Sequence, residues 1–315
     1  MDAVLITNVL AATVIAGTPL LLVALGELVC ERSGVLNLGQ EGMMLMGAVI
    51  GFMAAVTTGS LAIGVLAAML GGVMMSMLFA LMAVTLAANQ YAAGLALTIF
   101  GVGLSSFVGS GYVGQAIDGF DKIAIPLLSD IPVIGQVLFT QDALVYLSLV
   151  LFVVVYCFLR YSRSGLILRA VGESPEAANA NGLKVLKVRY LAVAFGGAMA
   201  GLAGAYLSLA YTPMWTENMT AGRGWIALAL VVFATWKPER VLLGAYLFGA
   251  ASILHLVLQG LGWQSSTELL AMLPYVVTIL VLVLLSWNPT RTRLNTPLTH
   301  SSNATIKCNT DPTQL

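Results

Sequence analysis

The chain of 315 residues is 59% hydrophobic and only 9% charged, and its 14 basic residues balance 14 acidic ones. Soluble globular domains carry about 25% charged residues, so this composition excludes an ordinary aqueous globule. It predicts an all-α, polytopic integral membrane protein with about 8–10 transmembrane helices, some of them broken or re-entrant.

Three cysteines are too few for a disulfide framework: Cys30 and Cys157 end apolar runs, and Cys308 lies in a polar tail. The opening MDAVLITNVL lacks the basic region of a cleavable signal peptide, and none is expected. Residues 9–28 form a first span, long enough at about 1.5 Å per residue for a ~30 Å hydrocarbon core; Gly17 and Pro19 inside it predict a kink. The following ELVCERSGVLNLGQEG crowds Glu27, Glu31, Arg32, Asn37, Gln40 and Glu41 between apolar stretches. Such a density of polar groups cannot face lipid. Residues 35–51 are therefore expected to face protein or a water-filled cavity, with 34–56 forming one broken second span.

Residues 61–88 make a long third span containing Gly71 and Gly72, Asn89-Gln90 marks a tight turn, and 92–108 make a fourth. Residues 109–143 leave the membrane, with Asp118, Asp121, Asp130 and Asp142 against a single Lys122. Pro126 and Pro132 argue against a long helix there, and a short amphipathic segment over 123–137 is expected on the membrane surface. A fifth span, 144–159, leads into RYSRSGLILRAVGESPEAANANGLKVLKVR, a polar island over 160–189 that holds six of the fourteen basic residues. Within it, Ser174-Pro175-Glu176 reads as N-cap, first helical position and first-turn acid, with Gly182 where a helix would end. A two-turn helix is predicted, whose Ala177, Ala178 and Ala180 make a small, shallow surface suited to a groove on another protein.

Residues 190–209 form a sixth span, in which Gly196, Gly197, Gly201 and Gly204 allow close helix contact. A polar turn over 211–224, a short apolar run over 225–236 and a basic hairpin Lys237-Pro238-Glu239-Arg240 follow. Residues 241–258 and 269–287 complete nine spans, so 1–287 is read as the membrane domain and 288–315 as a disordered polar tail. If the 160–189 island is cytoplasmic, alternation places twelve basic residues inside and leaves only Lys122 and Arg223 outside, a positive-inside bias. The island and the C-terminus are then cytoplasmic, in a cytoplasmic cell membrane. Residues 35–51 and 220–234 echo one another: each is a polar, glycine-bearing start to a short apolar helix, crossing in opposite directions, as in transporters built from inverted repeats.

Glu176-Ala177-Ala178-x-x-x-Gly182 resembles the EAA-x-x-x-G loop of ABC importer permeases. Its surroundings, RAVGESPEAANANGLKVLKVRYLAVAFGGAMAGLAGA, resemble the group serving branched-chain amino acids, ribose-type sugars and nucleosides. ERSGVLNLGQEGMMLMGA is similar to the subgroup that works with basic-membrane-protein-type lipoproteins and imports purine nucleosides or simple sugars. The likeness runs from about Glu27 to Trp287. The Ile-x-Leu-Pro ending of the fuller EAA motif is missing after Gly182, and the polar tail lies outside the likeness.

The resemblance implies that Ser174, Glu176, Ala177, Ala178 and Gly182 form a coupling element seated in a cleft of a separate cytoplasmic ATPase. It also implies a sister permease, giving a heterodimer, and an extracytoplasmic substrate-binding lipoprotein. The chain has no G-x-x-x-x-G-K-[ST], so the permease itself is not expected to hydrolyse ATP. For a neutral, hydroxyl-rich nucleoside, Asn37 and Gln40 are candidate donors and acceptors and Trp225 a stacking surface along the path. Glu41 is read as a paired carboxylate holding the broken helix, with Arg32 as partner, in preference to a substrate contact; Arg223 is expected to pair with Glu217 or with the binding protein. The methionine groups are packing, and no metal, cofactor or nucleic-acid partner is expected; the surrounding partner is lipid. A secondary transporter would want carboxylates within its spans, yet only Glu41 is placed away from a predicted end. An intramembrane enzyme would want more than the two isolated histidines, His255 and His300.

Overall fold

A computed structural model describes residues 3–126, 128–129, 131–260, 272 and 276; apart from those last two, the span expected over 269–287 and the tail over 288–315 lie outside the described residues. Among the described residues, seven helices are long and apolar enough to cross a membrane. They are α1 (Ala3–Arg32), α2 (Gln40–Thr58), α3 (Leu61–Ala80, prolonged by a π turn, Leu81–Thr85), α4 (Gln90–Gly109), α6 (Ala143–Tyr161), α9 (Val185–Tyr206, prolonged by a π turn, Leu207–Tyr211) and α11 (Pro238–Gly260). Shorter helices are α5 (Ile134–Leu138), α7 (Arg163–Glu173), α8 (Pro175–Ala180) and α10 (Arg223–Phe233). Among the described residues, the strands form one antiparallel hairpin, β1 (Lys122–Ala124) with β2 (Thr140–Asp142), pairing Ile123 with Gln141. The amphipathic segment expected over 123–137 is thus divided between a strand and the five-residue α5, because Pro126 and Pro132 leave no room for a longer helix.

The centre of the bundle is α9, which packs against α1, α2 and α3. Its glycines set these distances. A Cβ on Gly201 would collide with the Ala68 carbonyl of α3, and one on Gly204 with the Met44 carbonyl of α2. Lipid tails are as apolar as leucine, so helices associate in a membrane through close packing and internal hydrogen bonds rather than burial from water. Glycine rows serve that purpose here.

α1 stays one helix through Pro19, and the reason is visible one turn back. Proline has no N–H to give the Ile15 carbonyl, and the buried Tyr206 hydroxyl of α9 donates to that carbonyl instead at 3.2 Å.

The crossing expected over 225–236 is only in part helical. α10 has 11 residues, about 16 Å at 1.5 Å per residue, or half a hydrocarbon core. It is a half-helix preceded by a non-helical segment over 212–222.

The connections sort the bundle into two ends. At one, Arg32 donates to the Trp236 carbonyl and Arg189 to the Ser33 carbonyl, and Arg32, Arg160, Arg169 and Lys237 line a common hollow. At the other, the segment after α4 meets the segment after α9 through bridges Val113–Trp215 and Ala116–Met214. The basic island and the basic hairpin therefore share a face, as charge alternation expects.

Candidate functional site: two broken helices joined at Glu41

The first break follows α1. Gly34 takes a left-handed φ of +82°, and Val35 N and Gly34 N donate to the Cys30 and Glu31 carbonyls, the two bonds of a Schellman C-cap. The chain then doubles back into the protein as residues 35–39 before α2 begins. An irregular backbone at this depth must have its polar groups satisfied by protein, and Glu27, fully buried on α1, supplies much of that. Its Oε1 accepts from Asn37 N at 2.8 Å and its Oε2 from Gln40 Nε2 at 2.5 Å. Asn37 Oδ1 accepts from Gly39 N, Gln90 Oε1 from Leu36 N, and the Leu38 carbonyl from Thr98 Oγ1. The break is a knitted segment rather than a loose loop.

The second break precedes α10. Its N-cap position is Gly222, left-handed and without a side chain to cap the helix. The cap comes from another part of the chain. Glu41 Oε1 accepts from Thr220 Oγ1 at 2.5 Å and from Gly222 N at 2.8 Å, and Oε2 accepts from Gly224 N at 2.6 Å. Glu41 is itself in the first turn of α2, so one carboxylate sits at the N-termini of two helices, where both dipoles favour negative charge. Gly224 is required for the approach: a Cβ there would lie 2.6–2.7 Å from the Glu41 main chain and carboxylate. From this junction the two helices diverge. α2 ends beside the far part of α9, with Gly51 against Ala205, whereas α10 ends beside α1, where Trp236 Nε1 donates to Glu31 Oε2.

The break after α1 also touches the basic island. Gly172 of α7 packs against the Arg32 carbonyl so closely that a Cβ would collide with it. α8 follows directly, capped by Ser174 Oγ accepting from Ala177 N, with Pro175 at its first position and Gly182 at φ +79° beyond its end.

A family model described as the branched-chain amino acid transport system / permease component matches residues 9–282. The chain belongs to this family. It is the non-catalytic, multi-pass membrane subunit of an ABC transporter, a class that works with an ATPase and a substrate-binding protein. Among its relatives, the putative glucose ABC transporter permease protein of Haloferax volcanii is 46% identical over 258 residues, covering 81% of this chain and 78% of the relative. The nucleoside ABC transporter permease protein of Lactococcus lactis is 34% identical over 290 residues, 88% of this chain and 91% of the relative. The guanosine ABC transporter permease protein of Bacillus subtilis is 34% identical over 300 residues, 90% and 93%. No solved structure gives a significant match.

Within the permease, the expected coupling residues fall on one short element but not on one face. Glu176, Ala177 and Gly182 are exposed, whereas Ala178 is buried at 5% exposure, turned into the protein because its position is the inner side of a six-residue helix. The small outward surface is made by Ala177 and Ala180 without it. Of the expected path residues, Asn37 and Gln40 are wholly buried and Glu41 nearly so, all three engaged in holding the breaks, while Trp225 is 36% exposed. The expected partner of Glu41 is replaced: Arg32 donates to the Trp236 carbonyl, and three donors around α10 take the carboxylate. Arg223 likewise donates to the Met219 and Thr220 carbonyls and lies 5.6 Å from the Tyr211 ring centre, rather than reaching Glu217. Sequence reasoning missed the roles of Glu27, Thr220, Gly224 and Trp236. Glu27 and Glu31, spaced four apart at the end of an apolar run, were the available signal; Thr220 and Gly224 carried none beyond their place in the echo of 35–51.

Proposed function

We propose that this chain is the permease through which an ATP-driven importer carries a purine nucleoside across the cytoplasmic membrane, with its basic end in the cytosol. The observation that carries the reading is the fate of the buried carboxylates. Both oxygens of Glu27 and of Glu41 accept hydrogen bonds from donors of their own chain, and Glu31, wholly buried, accepts one from Trp236, so Glu27 and Glu41 are not offered as fixed charge to a solute. That suits a neutral, hydroxyl-rich molecule better than a zwitterionic amino acid. Two relatives named for nucleosides or guanosine cover 88% and 90% of the chain.

Trp225, exposed just beyond the Glu41 junction, is the aromatic face on which a base would stack. Asn37 and Gln40 act on the path indirectly, by fixing where α2 begins. At the basic end, Ser174, Glu176, Ala177 and Gly182 seat the ATPase, with Ala178 anchoring the helix from behind. Movement there reaches the breaks through Gly172 on Arg32 and Arg189 on Ser33. A sister permease completes a heterodimer, and a binding lipoprotein delivers solute at the opposite end.

A simple sugar is the second reading, favoured by the 46% identity to the putative glucose permease. The test is ATPase activity of the reconstituted complex, with its binding protein, on addition of inosine, guanosine, glucose or leucine. Stimulation by the nucleosides alone supports the proposal, stimulation by glucose alone replaces it with the second reading, and stimulation by leucine overturns both.

A further inference from the structure

Both α6 and α9 pack against α1, and between them they leave a groove of about 660 Å³. Val29 of α1 lines it, Val154 and Phe158 of α6 form one wall, Leu191 and Phe195 of α9 the other, and α7 closes one end. Val154 and Leu191 are 53% and 60% exposed, so the groove opens outward from the subunit. At the α7 end stand Lys184 and Lys187, both exposed. Among the described residues of the lining, Ser164 is the one other polar side chain and there is no acid.

A space of this size between spanning helices does not stay empty in a bilayer, because its walls would forfeit their dispersion contacts. Its occupant must match two different chemistries. Along most of its length the groove asks for a flexible apolar chain at membrane depth. At one end, beside the first turn of α9 where Lys184 and Lys187 stand, it asks for negative charge. Basic pockets between membrane helices recruit anionic lipid head groups in this way.

We infer that the groove between α6 and α9 is a binding site for an anionic phospholipid, its acyl chain lying between Phe158 and Phe195 and its phosphate paired with Lys184 and Lys187. Such a lipid would sit beside α7 and α8 and brace the segment that carries the coupling helix. The site is independent of the transported solute; the orientation proposed above decides only that the leaflet is the cytoplasmic one.

The test uses the whole transporter complex, delipidated in detergent and titrated with phosphatidylglycerol or phosphatidylcholine of identical acyl chains, with bound lipid counted by native mass spectrometry. The parent complex is expected to retain phosphatidylglycerol on the order of tenfold better than phosphatidylcholine. K184Q/K187Q should abolish that preference, whereas K184R/K187R, which keeps the charge, should restore it. Val154→Trp, which fills the groove, should reduce retention of both lipids. Equal retention of the two lipids by the parent, or an unchanged preference in K184Q/K187Q, overturns the proposal. So does efficient crosslinking of a Leu191→Cys variant to the sister permease or the ATPase in native membranes, which would show that protein covers the groove.

Discussion

Glu41 and Gly224 lie 183 positions apart and are joined by a 2.6 Å hydrogen bond from the glycine amide to the carboxylate. With Thr220 and Gly222 on the other oxygen, that contact fastens the start of one broken helix to the start of the other. Glu41→Ala removes the acceptor for three donors, two of them in buried bonds and one half-buried, and a buried donor costs about 1–3 kcal/mol when left unpaired. The variant is expected to lose about 3 kcal/mol or more of stability, read as a lower denaturation temperature of the purified permease and poor membrane yield. Unaltered thermal stability in Glu41→Ala would show that the junction does not depend on the carboxylate.

Tyr206 and Ile15 supply a second, independent check. The Tyr206 hydroxyl takes the place of the N–H that Pro19 lacks. Tyr206→Phe should destabilise the permease by about 1–3 kcal/mol. Combining it with Pro19→Ala should recover most of that loss, since alanine restores an N–H for the Ile15 carbonyl. A double variant no more stable than Tyr206→Phe would remove the link between hydroxyl and proline.

Two glycine substitutions separate close packing from helix propensity. Gly201→Ala drives a methyl group into the Ala68 carbonyl and against the Met69 Cα, and overpacking of this kind costs about 1–3 kcal/mol. Gly103, in α4, has nothing within 4 Å of an added Cβ, so Gly103→Ala should be neutral or stabilising by about 0.5–1 kcal/mol. Thermal denaturation of both variants in one detergent decides the matter; equal effects would discount the glycine contacts of α9.

On α8, neighbouring alanines should behave differently. Ala177 is exposed, so Ala177→Trp should leave the permease folded while uncoupling ATP hydrolysis from uptake. Ala178 is buried, and Ala178→Trp should lower the yield of permease itself. Ser174→Ala, which loses the N-cap bond to Ala177 N, should cost about 1 kcal/mol locally and weaken coupling without changing yield. Uptake, ATPase activity and membrane abundance measured side by side give the answer; full coupling in Ala177→Trp would mean that this face meets no partner.

How far the sequence reached is seen best at α2 and α10. Apolar runs of sufficient length mark the seven spans found among the described residues, because hydrophobic thickness is a one-dimensional property of the chain. The charges of 160–189 and 237–240 place both segments at one end for the same reason, each loop carrying its own count. The capped turn at Ser174 to Gly182 was legible too, since capping is chemistry between residues a few positions apart. That the seventh expected crossing is only half helical was not, because an 11-residue apolar run reads alike as half a helix inside protein or part of a longer span in lipid.

What tertiary structure alone decided was the pairing of polar groups across long separations. Polarity at Glu27, Glu31 and Glu41 shows that partners must exist, since lipid offers none. It does not say which of Arg32, Trp236, Thr220 or Gly224 they are. Folding chose two main-chain amides and a threonine for Glu41, and an indole for Glu31, because helices brought within glycine contact leave room for N–H groups and not for a guanidinium. The same packing turned Ala178 inward and buried Asn37 and Gln40, whose side chains hold the first break through Gly39 and Glu27.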